Sequence, residues 1–123
     1  MKSLLIVAHG SRREGSNQEV IELANRVAQQ PGHDFDQVSA AFLEIALPSI
    51  PEGLEQCVKQ GASEVVIFPY FLAAGRHVVD DIPEEAEKIA TKYPNVKFII
   101  TEYLGMSTEI PQLIINGVKN QCS

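Results

Sequence analysis

Three stretches of this chain are apolar almost without interruption, residues 4–8, 38–43 and 64–68, and between them apolar side chains recur every three or four positions. Continuous apolar runs of this length are typical of strands covered on both faces, whereas a strand with one wet face alternates. Each run is followed by a helical pattern. The first helix is expected to begin near Ser16, with Glu19 completing a capping box, and to carry Val20, Leu23, Ala24, Val27 and Ala28 on one face until Pro31-Gly32 stops it. The second is expected from Ser49, again with an acidic residue at the third position, Glu52; its stripe is Ile50, Leu54, Cys57 and Val58, and Gly61 caps its end.

The third helix is expected to start at Asp80 or Asp81, with Pro83 in a first turn whose N–H groups need no helical partner. It buries Ile82, Ala86, Ile89, Ala90 and Tyr93 and ends at Tyr93-Pro94-Asn95, before a last strand from Val96 to Ile100. A fourth helix follows, with Ile110, Leu113, Ile114 and Val118 expected inward and Gly117 weakening its end by about 1 kcal/mol. Four strand–helix repeats of this kind predict one α/β domain over residues 1–123. It is a three-layer αβα sandwich, flavodoxin-like, around a four-stranded parallel sheet, and right-handed crossovers allow few strand orders.

Composition narrows the function. A length of 123 residues suits one domain with a modest core, and a formal net charge of −6 argues against a general nucleic-acid binder. It leaves room for an anionic small molecule, since a few arginines can make one mouth positive. Cys57 falls on an apolar stripe and Cys122 stands alone, so buried and free thiols in a reducing compartment are expected. The apolar run after Met1-Lys2-Ser3 is too short for a signal peptide or a membrane span, which predicts a cytoplasmic protein without a membrane partner.

The chemistry gathers where strands end. His9 closes the first apolar run, Glu44 follows the second, and His77 follows the third through Pro69 and a loop containing Gly75. Their separations each match one strand–helix repeat, roughly 30 residues or more. In parallel strands all three side chains would emerge at the carboxyl edge of one sheet, where open α/β sheets bind ligands. Two imidazoles and a carboxylate suit a first-row divalent metal such as Co²⁺, Ni²⁺ or Fe²⁺, and three ligands leave coordination positions open. Taken singly, each has a bland reading: a loop histidine, a solvated carboxylate, a turn decoration. Their coincidence favours a site. Arg12 and Arg76 flank the histidines and suit carboxylate capture; Arg13 reads equally well as a solvated surface residue, and His33 as part of a surface loop. Ser11 lies in no Gly-x-Ser-x-Gly elbow, and no phosphate-binding glycine loop is present.

Leu5-Ile6-Val7-Ala8-His9-Gly10-Ser11-Arg12 resembles the opening signature of the CbiX/SirB sirohydrochlorin chelatases, class II tetrapyrrole chelatases. Phe42-Leu43-Glu44 with Pro48-Ser49-Ile50 is similar to their second motif, and Pro69-Tyr70-Phe71-Leu72, Gly75-Arg76-His77 and Asp81-Ile82-Pro83 to their third. Ala8 departs from the glycine many members carry there. The resemblance implies insertion of a divalent metal, cobalt before nickel or iron, into the carboxylate-rich tetrapyrrole sirohydrochlorin, with no permanently bound cofactor. It implies that His9, Glu44 and His77 handle the metal and that the short form works as a homodimer. Metallation releases two pyrrole protons, which neutral imidazole can accept near pH 7. His9 and His77 are therefore assigned to metal binding and proton acceptance, with Glu44 as ligand or auxiliary base and the order of the histidines left open. Ser11, Arg12, Arg76, Phe71 and Leu72 are the expected substrate contacts, with Val78 beside them; Phe71 and Leu72 also read as core residues. Two rivals stand beside this reading: a metal or tetrapyrrole carrier without turnover, and a metal-dependent hydrolase.

Overall fold

The computed structural model describes residues 1–122. Four strands, β1 (Lys2–Ala8), β2 (Gln37–Phe42), β3 (Glu64–Pro69) and β4 (Lys97–Ile100), make one parallel sheet in the order β2-β1-β3-β4. The expected parallel α/β sheet is what forms. Ala8 pairs with Phe42 and Val7 with Pro69, so the carboxyl ends of β1, β2 and β3 finish almost level. That alignment lets residues from separate repeats meet at one edge.

The helices are α1 (Glu14–Gln29), α2 (Ile50–Lys59), α3 (Ile82–Ala90) and α4 (Ile110–Cys122). The chain steps from β1 to β2 in one direction and from β2 through β3 to β4 in the other. Right-handed crossovers then put α1 on one face and α2 and α3 on the opposite face. The main core lies under α2 and α3, where Leu5, Val7, Leu54, Ile67 and Ile82 are fully buried. Under α1 a smaller cluster joins Ile6, Ala24 and Ala40. Cys57 is buried, and its thiol pKa is raised by that burial; Cys122 is exposed. No helix among the described residues is long and apolar enough to cross a membrane.

Three expectations need correction. The capping box at Ser16 and Glu19 does not form, because α1 begins two residues earlier and Ser16 is already inside it. The start of α1 is held instead by Asn17, whose buried side-chain amide accepts from Ser11 N–H at 2.9 Å and donates to Ser11 C=O at 2.8 Å. The third helix is capped at Asp81 as expected, but it is preceded by a single π turn, His77–Asp81, and stops at Ala90, leaving Tyr93 beyond it. Most consequentially, Leu113, Ile114 and Val118 of α4 do not face inward: no residue of α4 is buried. Its apolar stripe is real, but this chain does not cover it.

The capping box of α2 forms as expected, with Glu52 N–H donating to Ser49 Oγ at 3.2 Å and Ser49 N–H donating to Glu52 Oε1 at 3.0 Å. The turn that follows α3 is tied to α2 by Glu55, which takes Lys92 Nζ on one oxygen and Tyr93 Oη, at 2.6 Å, on the other. Those bonds, Lys92 first, hold the Glu55 carboxyl below its ordinary pKa. A depressed carboxylate contributes stability above its unfolded pKa and loses it as pH falls through the folded one. Glu55→Gln should therefore lower the melting temperature near neutral pH, and the gap from wild type should close between about pH 5 and about pH 3. Melting curves of both proteins across that range check this.

Candidate active site

Each candidate ligand owes its position to a local backbone feature. His9 is the first residue past β1, and the next residue, Gly10, turns the chain at φ +97°. A Cβ on Gly10 would lie 1.8 Å from the carbonyl oxygen of Glu44, so only glycine lets these two loops approach so closely. The loops are stitched by Leu43 N–H donating to Ala8 C=O at 2.9 Å and Glu44 N–H to His9 C=O at 3.1 Å. Ile45 then adopts φ +71°, a left-handed conformation that a β-branched side chain resists. Such strain persists only where surrounding contacts fix the backbone. Here it turns the chain sharply just after Glu44.

His77 comes from the opposite side, at the start of the π turn. Its Nδ1–H donates to Asp81 Oδ2 at 2.7 Å. With that nitrogen engaged, Nε2 keeps its lone pair for a metal or a proton.

The three ligand atoms of His9, Glu44 and His77 all lie within 4.8 Å of one another. His9 Nε2 is 2.8 Å from Glu44 Oε1, and the two imidazoles meet edge to face with centroids 4.8 Å apart and planes at 79°. A divalent ion seated among these atoms would be met by two imidazole nitrogens and a carboxylate oxygen. All three side chains are roughly half-exposed, giving an open cup with protein donors on one side.

Near His9 and His77 in sequence, Arg12 and Arg76 are exposed, and among the described residues neither has an ion-pair partner. Arg13 is the N-cap residue of α1 and is also exposed. Ser11 is half-buried, its Oγ accepting from Arg13 N–H at 3.0 Å. Phe71 packs against the main core, while Leu72 beside it is exposed. His33 lies apart in the loop before β2, where Nδ1 accepts from Phe35 N–H at 3.1 Å.

Sequence reasoning missed three contributors. Asp81, noticed only as part of a motif, orients His77; its signal was the four-residue spacing on a helical turn. Asn17 anchors the Ser11 loop, with no signal beyond an amide on an otherwise apolar helix face. The ligand loops also carry exposed Ile45, Leu47 and Val79, an apolar rim hidden from sequence because each reads singly as core.

Two consequences are measurable. Gly10→Ala should lose roughly 2 kcal/mol of stability or more, read from urea denaturation, because both its φ and the Glu44 carbonyl oppose a Cβ. Asp81→Ala should leave the melting temperature nearly unchanged yet weaken Co²⁺ binding roughly 10- to 100-fold by calorimetric titration.

Residues 3–121 match the sequence model of the CbiX family. The chain is 35% identical over 121 residues to the sirohydrochlorin ferrochelatase of Priestia megaterium, covering 96% of this chain and 44% of that protein. It is 31% identical over 119 residues to the sirohydrochlorin cobaltochelatase of Sulfurisphaera tokodaii, covering 97% of this chain and 92% of that one. Thus it spans about half the length of some curated relatives and nearly all of another. Among solved structures, the sirohydrochlorin chelatase SirB from Bacillus subtilis subspecies spizizenii in complex with cobalt superposes with a TM-score of 0.86 at 29% identity, over 97% of this chain and 50% of that chain. The CbiX protein from Marinobacter aquaeolei VT8 superposes at 0.83 and 25% identity, over 98% and 97%.

Proposed function

The chain belongs to the CbiX family, and on that premise we propose that it is a sirohydrochlorin chelatase, inserting a divalent metal into the macrocycle with release of two protons. The observation that carries this reading is the convergence of His9, Glu44 and His77 on one point within 4.8 Å. A chelatase must hold its metal firmly enough to strip water and loosely enough to hand it on. Three protein donors on one side of an open cup suit that compromise, because the macrocycle can approach from the other side. The metal is substrate here, not a resident cofactor.

Proton accounting supports the same groups. As the metal leaves the protein for the pyrrole nitrogens, the imidazoles and Glu44 become free to accept protons at the place where the two N–H groups must lose them. His77 is held by Asp81 in the tautomer that presents a bare Nε2. Arg12 and Arg76 are free to meet the peripheral carboxylates, and Ile45, Leu47, Leu72 and Val79 to face the apolar ring. One domain offers a single wall to a flat substrate; a second copy across a two-fold axis supplies the other.

Relatives named for iron and for cobalt both match, and imidazole–carboxylate donors accept either. Steady-state assays with sirohydrochlorin against Co²⁺, Fe²⁺ and Ni²⁺, followed by absorbance, test the proposal; multiple turnovers with Co²⁺ are expected. A single stoichiometric burst with retained product would instead mark a carrier. His9→Ala and His77→Ala should each lower turnover by on the order of 100-fold or more without unfolding the domain, since both side chains lie outside the core. Full activity in either variant would remove that residue from the mechanism.

A further inference from the structure

After Glu44 the chain reverses through a three-residue turn centred on Ile45. Ile45 adopts φ +71°, and Ala46 N–H donates to Glu44 C=O at 2.7 Å. Turns of this kind with a positive φ at the centre are rare and strained, and a β-branched side chain adds to the strain. Main-chain bonds alone hold the shape. Leu43 and Glu44 are tied to the loop after β1, and Phe42 N–H donates to Pro48 C=O at 2.8 Å, which closes the loop at its base. A glycine at the same position could follow this path without strain.

The fold makes no use of the side chain that causes the strain. Ile45 is 58% exposed and joins neither apolar core cluster. Leu47, 75% exposed, follows it on the same loop, and Leu72 and Val79, 71% and 63% exposed, belong to the segment that carries His77. Large apolar side chains left bare on the ligand-bearing loops call for an apolar surface brought to them from outside the chain. Of these four, Ile45 alone is held in place against its own backbone preference. Strain that packing does not require points to function.

We infer that the Ile45 side chain is a substrate contact, bearing on the apolar ring of the tetrapyrrole while Glu44, the residue before it, serves the metal. The inference rests on the chelatase reading above and deepens it, since ring recognition and metal binding then fall to neighbouring residues of one loop. The left-handed turn fixes where a hydrocarbon side chain stands relative to Glu44, which a glycine could not do. Stability and ring binding therefore oppose each other at this position.

Ile45→Gly and Ile45→Asn both accept the left-handed backbone and remove the apolar side chain. Ile45→Gly should melt a few degrees above wild type, and Ile45→Asn no lower than wild type. Co²⁺ affinity by calorimetric titration should stay close to wild type in both. Binding of metal-free sirohydrochlorin, followed by fluorescence titration, should weaken roughly 10-fold or more, and in steady-state metallation the loss should appear in KM rather than kcat. A lower melting temperature in Ile45→Gly would show that the side chain supports the fold and overturns the inference. So does an unchanged affinity for sirohydrochlorin, or a Co²⁺ affinity that falls in step with it, which would mean that Ile45 shapes the ligand set instead of meeting the ring. A wild type that neither binds nor metallates sirohydrochlorin overturns the chelatase reading and the ring contact together. Loss of the ring contact alone leaves wild-type metallation intact, so the two failures remain distinct.

Discussion

The site depends on one backbone contact: Gly10 lying against the carbonyl of Glu44. β1 and β2 are neighbours, and their loops leave the sheet side by side, so steric exclusion would normally splay them apart. Removing one Cβ lets them close, and two inter-loop hydrogen bonds hold the closure. His9 then stands 2.8 Å from Glu44, although 34 residues lie between them in sequence. The left-handed Ile45 is part of the same closure, for the chain must turn hard after Glu44 to reach α2. A strained β-branched residue, a glycine with no room for a side chain and a paired imidazole and carboxylate are three aspects of one tight crossing.

Against that fixed pair, His77 is brought in by a helical turn and not by a strand end. The π turn sets His77 and Asp81 one above the other, and the carboxylate selects the tautomer. Two ligands are thus positioned by backbone packing and the third by a side-chain hydrogen bond. Extra residues in helices of this kind commonly accompany function, because they re-aim a side chain at a cost in regular hydrogen bonding.

Much of this was legible in the sequence, for reasons that also mark where legibility ended. The strands were visible because central parallel strands must be apolar on both faces, and β1, flanked on both sides, shows this most plainly. His9 and Glu44 were legible as candidate ligands because residues just past such strands emerge at the carboxyl edge, whereas His77 lies eight residues beyond the end of β3 on a helical turn. The capping box of α2 was local and formed; the one proposed at Ser16 was equally plausible locally, yet a tertiary tie from Asn17 to Ser11 moved the helix start. Asp81 as an orienting group could not be inferred until His77 was placed on a helical turn. The fourth helix shows a different limit. Its apolar spacing correctly marks an amphipathic helix, but periodicity carries no information about what packs on the stripe, and among the described residues nothing buries it.

Electrostatics sets a last constraint on how such a site can work. The chain carries a net charge of −6, so the carboxylate-rich substrate proposed above would be repelled at long range. At physiological ionic strength that repulsion fades beyond about 8 Å, and close in the local charges dominate. Arg12 and Arg76 are then the charges that matter, and they are exposed, while three of the six lysines serve the frame: Lys2 bridges to Asp34 and Glu64, Lys88 to Glu85, and Lys92 to Glu55. Two exposed arginines within three residues of His9 and His77 would give an acidic protein the locally positive mouth that the proposed substrate needs. The three candidate donors include a single carboxylate, so a divalent cation held among them would leave the cup net positive, which would favour a polyanionic ring of the kind proposed above.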